Sequence, residues 1–200
     1  MLLLQVYNRV IYYGTTCKNS GFCRKPTQRL IQQSFDVGCG ARAPEDAVIK
    51  VFDLEGIPPF NQDLESQPPQ VVKEFKVKIR KADAILIASP EYNYSVPGVL
   101  KNAIDWASRP YGDNAFEGKP VALMSASIGS LGGARAQYYL RQSFVFLNMH
   151  PLNHPEVMMP LAEDNVDADG NVTNEQTKQL IRELLEALVQ WTRRLKDKPQ

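Results

Sequence analysis

Ala84 to Pro110 constrains this 200-residue chain more than any other stretch. It opens with Ala84-Ile85-Leu86-Ile87-Ala88, a short apolar run with the look of a buried strand. Ser89-Pro90-Glu91-Tyr92-Asn93-Tyr94-Ser95 follows as a polar and aromatic loop. Val96-Pro97-Gly98-Val99-Leu100 then leads into a helix, because Pro97 suits a first turn where its missing N–H costs nothing. Leu100, Ala103, Ile104 and Ala107 recur at helical spacing and should face a sheet. Strand, loop and helix in this order place the loop at a carboxyl-terminal strand end, where open parallel sheets put their ligands. The loop has no glycine, so it reads as a wall for something flat rather than a phosphate cradle. Tyr92 and Tyr94 are available for stacking and Asn93 for hydrogen bonds.

The rest of the chain repeats the alternation. Val6 to Tyr13 and Val48-Ile49-Lys50-Val51-Phe52 read as strands, with a helix toward Phe35 between them. Asp53 to Pro69 is a loop rich in proline and acid, and Val71 to Lys81 a short amphipathic helix. Val121-Ala122-Leu123-Met124 is a further strand, and Ala134 to Phe146 a helix after Gly129, Gly132 and Gly133. A last strand is expected to include Leu152. Glu175 to Leu195 forms the final helix, with Leu180, Ile181, Leu184, Leu185, Leu188, Trp191 and Leu195 on its apolar face. Five short strands alternating with helices predict an α/β fold, a parallel sheet covered on both faces. One domain over residues 1–200 suffices for this length.

Composition removes several function classes. The net charge is +1, and no basic run suggests a nucleic-acid surface. No apolar run reaches membrane-spanning length, and the first residues are too short for a signal segment. Cys17, Cys23 and Cys39 make an odd count, which argues against a disulfide framework and for a cytoplasmic chain. His150 and His154 lack the further ligands a metal site needs, so no metal is expected. Residues Asn165 to Thr173 carry the opening of a calcium loop, but position twelve is Gln176 rather than glutamate. A turn rich in asparagine and aspartate before the final helix is the better reading.

A second candidate loop is Ser125-Ala126-Ser127-Ile128-Gly129-Ser130-Leu131-Gly132-Gly133. Its small residues would let main-chain N–H groups approach a ligand. It lacks the Gly-x-Gly-x-x-Gly dinucleotide fingerprint. No nucleophile, base and acid fall together, which suits a protein whose cofactor carries the redox chemistry. The helix after Gly133 carries Tyr138, Tyr139, Leu140, Phe144 and Phe146, more apolar girth than one sheet face needs. That surplus fits either an interface core or a helix fully buried within one monomer.

Pro90-Glu91-Tyr92-Asn93, Ser95, Pro97-Gly98 and Leu100-Lys101-Asn102-Ala103-Ile104-Asp105-Trp106 together resemble the signature of the NADPH-dependent FMN reductase family. The resemblance implies a flavodoxin-like three-layer sandwich with a five-stranded parallel sheet in the order 2-1-3-4-5. It implies bound FMN, NADPH or NADH as co-substrate, and a quinone or similar small-molecule acceptor. It places the flavin ring along Pro90, Glu91, Tyr92, Asn93 and Tyr94, and beside Ser125, Ala126, Ser127, Gly129, Gly132 and Gly133. Ser20-Gly21-Phe22-Cys23-Arg24 resembles the family's phosphate loop, with Gly21 and Arg24 in matching positions. Pro26-Thr27-Gln28-Arg29-Leu30 stands where the family has a longer Ser-x-Asn segment, so no serine or asparagine carries over, and Thr27 and Gln28 are the chemical replacements that can donate to phosphate. Residues 1–30 otherwise diverge, and a competing register uses Gly14-Thr15-Thr16 as the anion loop. The resemblance also implies a homodimer or tetramer. A non-enzymatic flavin-binding redox sensor is the alternative function, and a flavin-free scaffold a third.

Overall fold

The computed structural model describes residues 8–12, 47–52, 54–167 and 172–196. Its strands are β1 (Asn8–Tyr12), β2 (Ala47–Val51), β3 (Ala84–Pro90), β4 (Pro120–Ala126), β5 (His150–Pro151) and β6 (Val157–Met159). Its helices are α1 (Gln70–Lys81), α2 (Gly98–Ala107), α3 (Ala134–Phe146) and α4 (Glu175–Lys196). The sequence expectations at Gly14–Thr16, Gly21, Arg24, Thr27, Gln28, the helix toward Phe35 and the three cysteines lie outside the described residues.

All pairings between the named strands are parallel. The sheet runs β2-β1-β3-β4-β5, and β6 also pairs with β4. The expected five-stranded sheet in a single linear order is therefore corrected: among the described residues there are six strands, and the ladder branches at β4. β5 pairs with Pro120 and Val121, whereas β6 pairs with Met124, Ser125 and Ala126. The edge position is thus one interrupted strand. Leu152, expected inside the last strand, lies in the break, although its N–H still reaches the Val121 carbonyl at 2.8 Å. Pro151 and Pro155 explain the interruption, because proline brings no ladder donor. Val157–Met159 is too short to display a strand period of its own.

β3 and β4 are buried along their whole length, as expected of strands covered on both faces. The two faces differ in what covers them. Ile85, Ile87, Val121 and Leu123 pack with Phe75 and Ile79 of α1, Leu100, Ala103, Ile104 and Ala107 of α2, and Leu140 and Phe144 of α3. Ala84, Leu86, Ala88, Ala122, Met124 and Ala126 face Ile181, Leu184, Leu185 and Leu188 of α4. The small alanine side chains of β3 and β4 form this face with α4. Before α4, Val166 and Val172 form an antiparallel bridge, and the Asn174 side chain accepts the Thr177 N–H at 2.9 Å as a helix cap.

Asn102 and Trp106 of α2 have a structural task. The Asn102 amide donates to the Pro58 carbonyl at 2.9 Å and accepts the Phe60 N–H at 2.7 Å. Trp106 Nε1 donates to the same carbonyl at 2.8 Å, and the Phe60 ring meets the indole edge-on at 5.0 Å. Arg109 and Glu65 close the same loop with an ion pair of 2.6 Å. The long connection after β2 is thereby clamped onto α2. Replacing Asn102 by alanine is expected to cost about 1–3 kcal/mol, since two partners lose their hydrogen bonds. Urea unfolding measures the loss, and limited proteolysis should find residues 57–67 cut faster.

Candidate flavin site

β3 and β4 end side by side, with Pro90 paired to Ala126. Their two following loops therefore leave the sheet as neighbours. In the first, Tyr92 and Ser95 exchange backbone hydrogen bonds of 3.1 and 2.8 Å. Asn93 and Tyr94 between them have φ of 49° and 63°. This is the two-residue turn with both central residues left-handed, a geometry that asparagine accepts and tyrosine resists. A left-handed non-glycine residue costs about 1–2 kcal/mol, so the Tyr94 conformation must be held by its surroundings.

The holding contacts come from α3. The Glu91 side chain is only 8% exposed. Its carboxylate accepts the Ala136 N–H at 3.1 Å and meets the Arg135 guanidinium at 3.5 Å. Arg135 in turn lies 3.8 Å above the centre of the Tyr94 ring. Tyr92 and Tyr94 remain exposed to solvent. The turn's paired N–H groups belong to Tyr92 and Ser95, so those of Asn93 and Tyr94 stand outside its hydrogen-bonded pair.

The second loop is fastened from below. Ser127 donates its N–H to the Met159 carbonyl and accepts the Ala162 N–H, both at 3.0 Å. The Ser127 hydroxyl accepts the Gly129 N–H at 3.1 Å. Ile128 and Leu131 are exposed at its tip. Ser125 is buried and points inward: its hydroxyl donates to the Gly132 carbonyl at 2.6 Å and accepts from Gln137 Nε2 at 2.8 Å. The same Gln137 nitrogen donates to the Val157 carbonyl at 2.8 Å. Gln137 thus joins α3, β4 and β6 under the loop. Its hidden role left no local signal beyond a polar residue on the inner side of a helix.

Gly132 and Gly133 have φ of 58° and 88°. A Cβ on Gly132 would stand 2.8 Å from the Met158 carbonyl carbon, and one on Gly133 2.7 Å from the Ser125 Cβ. The protein itself fills the space these glycines leave. Gly129 is open by comparison, with Ser127 Oγ 3.6 Å from the corresponding position. Pro90 and Ala126 end the paired strands at the floor of the site. The structure therefore brings Pro90 to Tyr94 together with Ser125 to Gly133, and turns Glu91, Ser125 and the glycine pair toward the protein. What the two loops expose is the rings of Tyr92 and Tyr94, the polar side chains of Asn93, Ser95 and Ser130, and the aliphatic tips of Ile128 and Leu131. That donor set fits a flat heteroaromatic group with polar edges, such as the ring of FMN.

A parallel α/β sheet with two such loops at its strand ends defines a flavodoxin-like protein. The NADPH-dependent FMN reductase family model matches residues 13–164. The chain belongs to that family, and it is an NAD(P)H-dependent flavin oxidoreductase. It is 51% identical over 154 residues to the NAD(P)H-dependent FMN reductase of Pseudomonas aeruginosa, a match covering 76% of this chain and 83% of the relative. It is 41% identical over 151 residues to the 2-hydroxy-1,4-benzoquinone reductase of a Burkholderia species, covering 76% and 82%. Among solved structures it resembles FerB, the flavoenzyme NAD(P)H:(acceptor) oxidoreductase of Paracoccus denitrificans. The TM-score is 0.76 at 31% identity, over 94% of this chain and 98% of that one. Among the described residues no helix is long and apolar enough to cross a membrane.

Proposed function

We propose that the chain binds FMN with the ring between the Pro90–Tyr94 and Ser127–Gly129 segments and reduces a quinone or similar small acceptor with NADPH or NADH. Bound there, FMN supplies hydride acceptance and onward electron transfer. The protein's part is to hold the ring by main-chain donors, keep one face open, and orient each reactant in turn. Gly21, Arg24, Thr27 and Gln28 are the proposed phosphate holders. The carrying observation is the pair of cross-tied loops at adjacent strand ends. Relatives whose names specify quinone reduction support the choice of acceptor. The Asn93–Tyr94 turn stands over one side of the site, so nicotinamide and quinone should take turns at a single face. Initial rates over a grid of NADPH and 1,4-benzoquinone should then give parallel double-reciprocal lines. Anaerobic NADPH should bleach the yellow protein and quinone restore it. Ultrafiltration that leaves added FMN entirely in the filtrate would end the proposal. Retained FMN that neither nicotinamide bleaches would favour the sensor reading instead.

The same reading includes one domain over residues 1–200, a cytoplasmic location, and assembly as a homodimer or tetramer. On α3, Leu140 and Phe144 are buried while Tyr138, Tyr139, Val145 and Phe146 are half or more exposed. Such an aromatic surplus suits an interface core. Light scattering at micromolar concentration should return at least twice the 22.5 kDa chain mass. A monomeric mass with full activity would rule the assembly out.

A further inference from the structure

We propose that Glu91 is a positioning residue, a latch that fixes the Asn93–Tyr94 turn by tying it to the first turn of α3. The inference rests on the reading of this turn as a flavin wall, and its test separates the two. Three observations carry it. First, α3 begins after Gly133, which has no side chain to cap the helix. Glu91 supplies the missing acceptor from another element, through the Ala136 N–H at 3.1 Å, and brings negative charge to the helix end that favours it. Second, the same carboxylate holds Arg135, whose guanidinium lies over the Tyr94 ring. One buried group therefore grips the turn from its base and, through Arg135, from above. Third, Asn93 and Tyr94 are both left-handed, with a single hydrogen-bonded residue pair, Tyr92 and Ser95, closing the turn locally. A turn with that local preference needs an outside hold. The consequence is mechanical. The two strand-end loops keep a fixed separation because Glu91 belongs to one and its partners to the helix entered from the other.

The test uses the full-length chain with Glu91→Ala and Glu91→Gln, each also combined with Tyr94→Asn. Amide hydrogen exchange of residues 91–95 is followed in flavin-free protein, with residues 140–146 of α3 as the internal control. FMN affinity is read by titrating its fluorescence. Glu91→Ala should speed exchange at 91–95 about tenfold and weaken FMN about tenfold, the effect of losing a charge-assisted hydrogen bond. Glu91→Gln keeps an oxygen acceptor for Ala136 and should lose less than Glu91→Ala in both readouts. Tyr94→Asn, which eases the left-handed strain, should restore slow exchange in the Glu91→Ala background. Unchanged exchange at 91–95 in Glu91→Ala would overturn the proposal. So would equal loss of protection at 140–146, which would mean general unfolding. Faster exchange at 91–95 with FMN affinity unaltered would uphold the latch and remove the flavin-wall reading.

Discussion

Gly133→Ala is expected to destabilise the protein by about 2–5 kcal/mol, combining the left-handed backbone penalty with overpacking. The residue has φ of 88°, and its new Cβ would lie 2.7 Å from Ser125 Cβ and 2.8 Å from Ser125 Oγ. Both contacts are far inside van der Waals distance, and neither atom can yield easily. Ser125 sits in β4 and is buried on every side. Its hydroxyl links Gly132 and Gln137, so displacing it also loosens the hydrogen bond from Gln137 and exposes the inner lining of the second loop to strain. Gly129→Ala provides the contrast. Its Cβ would meet only Ser127 Oγ at 3.6 Å, an ordinary contact at a surface position. That variant should stay within about 0.5 kcal/mol of the parent. Urea midpoints for the two variants decide the matter: equal shifts would mean that close packing at Gly133 is not what the site depends on.

Trp106→Ala is expected to cost about 3–5 kcal/mol, the range for deleting a buried aromatic side chain. The indole is 1% exposed and is tied to the clamped loop after β2. Deleting it removes the edge-on contact with Phe60 and the hydrogen bond to Pro58 together. The Asn102 hydrogen bonds at Pro58 and Phe60 would then hold the loop beside a cavity. Trp106→Phe separates the two losses. It keeps much of the ring volume and gives up the Nε1 donor, so about 0.5–1.5 kcal/mol should go, the value of a neutral hydrogen bond. Near-equal losses in the two variants would show that the hydrogen bond outweighs the packing. Circular dichroism against urea gives both numbers.

The elements with strong local repetition are legible in the sequence. β3 and β4 are continuous apolar runs, and continuous burial is what they show. The spacing of Leu100, Ala103, Ile104 and Ala107 set the inner face of α2, and that of Ile181, Leu184, Leu185 and Leu188 set the inner face of α4. In α1 the apolar residues kept no clean period, because Val77 is exposed while Lys76 is buried against Asp113. β6 escaped notice, since three residues inside a proline-flanked loop carry no period at all.

The candidate site divides in the same way. Its place at the ends of β3 and β4, and its make-up of two loops with tyrosine in one and glycine in the other, followed from the order of runs and breaks along the chain. Which side chains face a ligand and which face the protein did not. Glu91 lies in the most recognisable segment, yet its partner N–H is 45 residues away, on α3. Asn102 and Trp106 stand in that segment too, and they grip the loop at Pro58, more than 40 residues earlier. Gly132 and Gly133 look permissive from sequence, and it is the approach of Met158 and Ser125 that makes them obligatory. The sequence by itself determined helix faces and buried strands, because those depend on neighbours two to four residues apart. Tertiary structure alone decided the Glu91 tie and the inward turn of Ser125. Each depends on which distant segments the parallel ladder brings side by side, and no local pattern of side chains encodes that pairing.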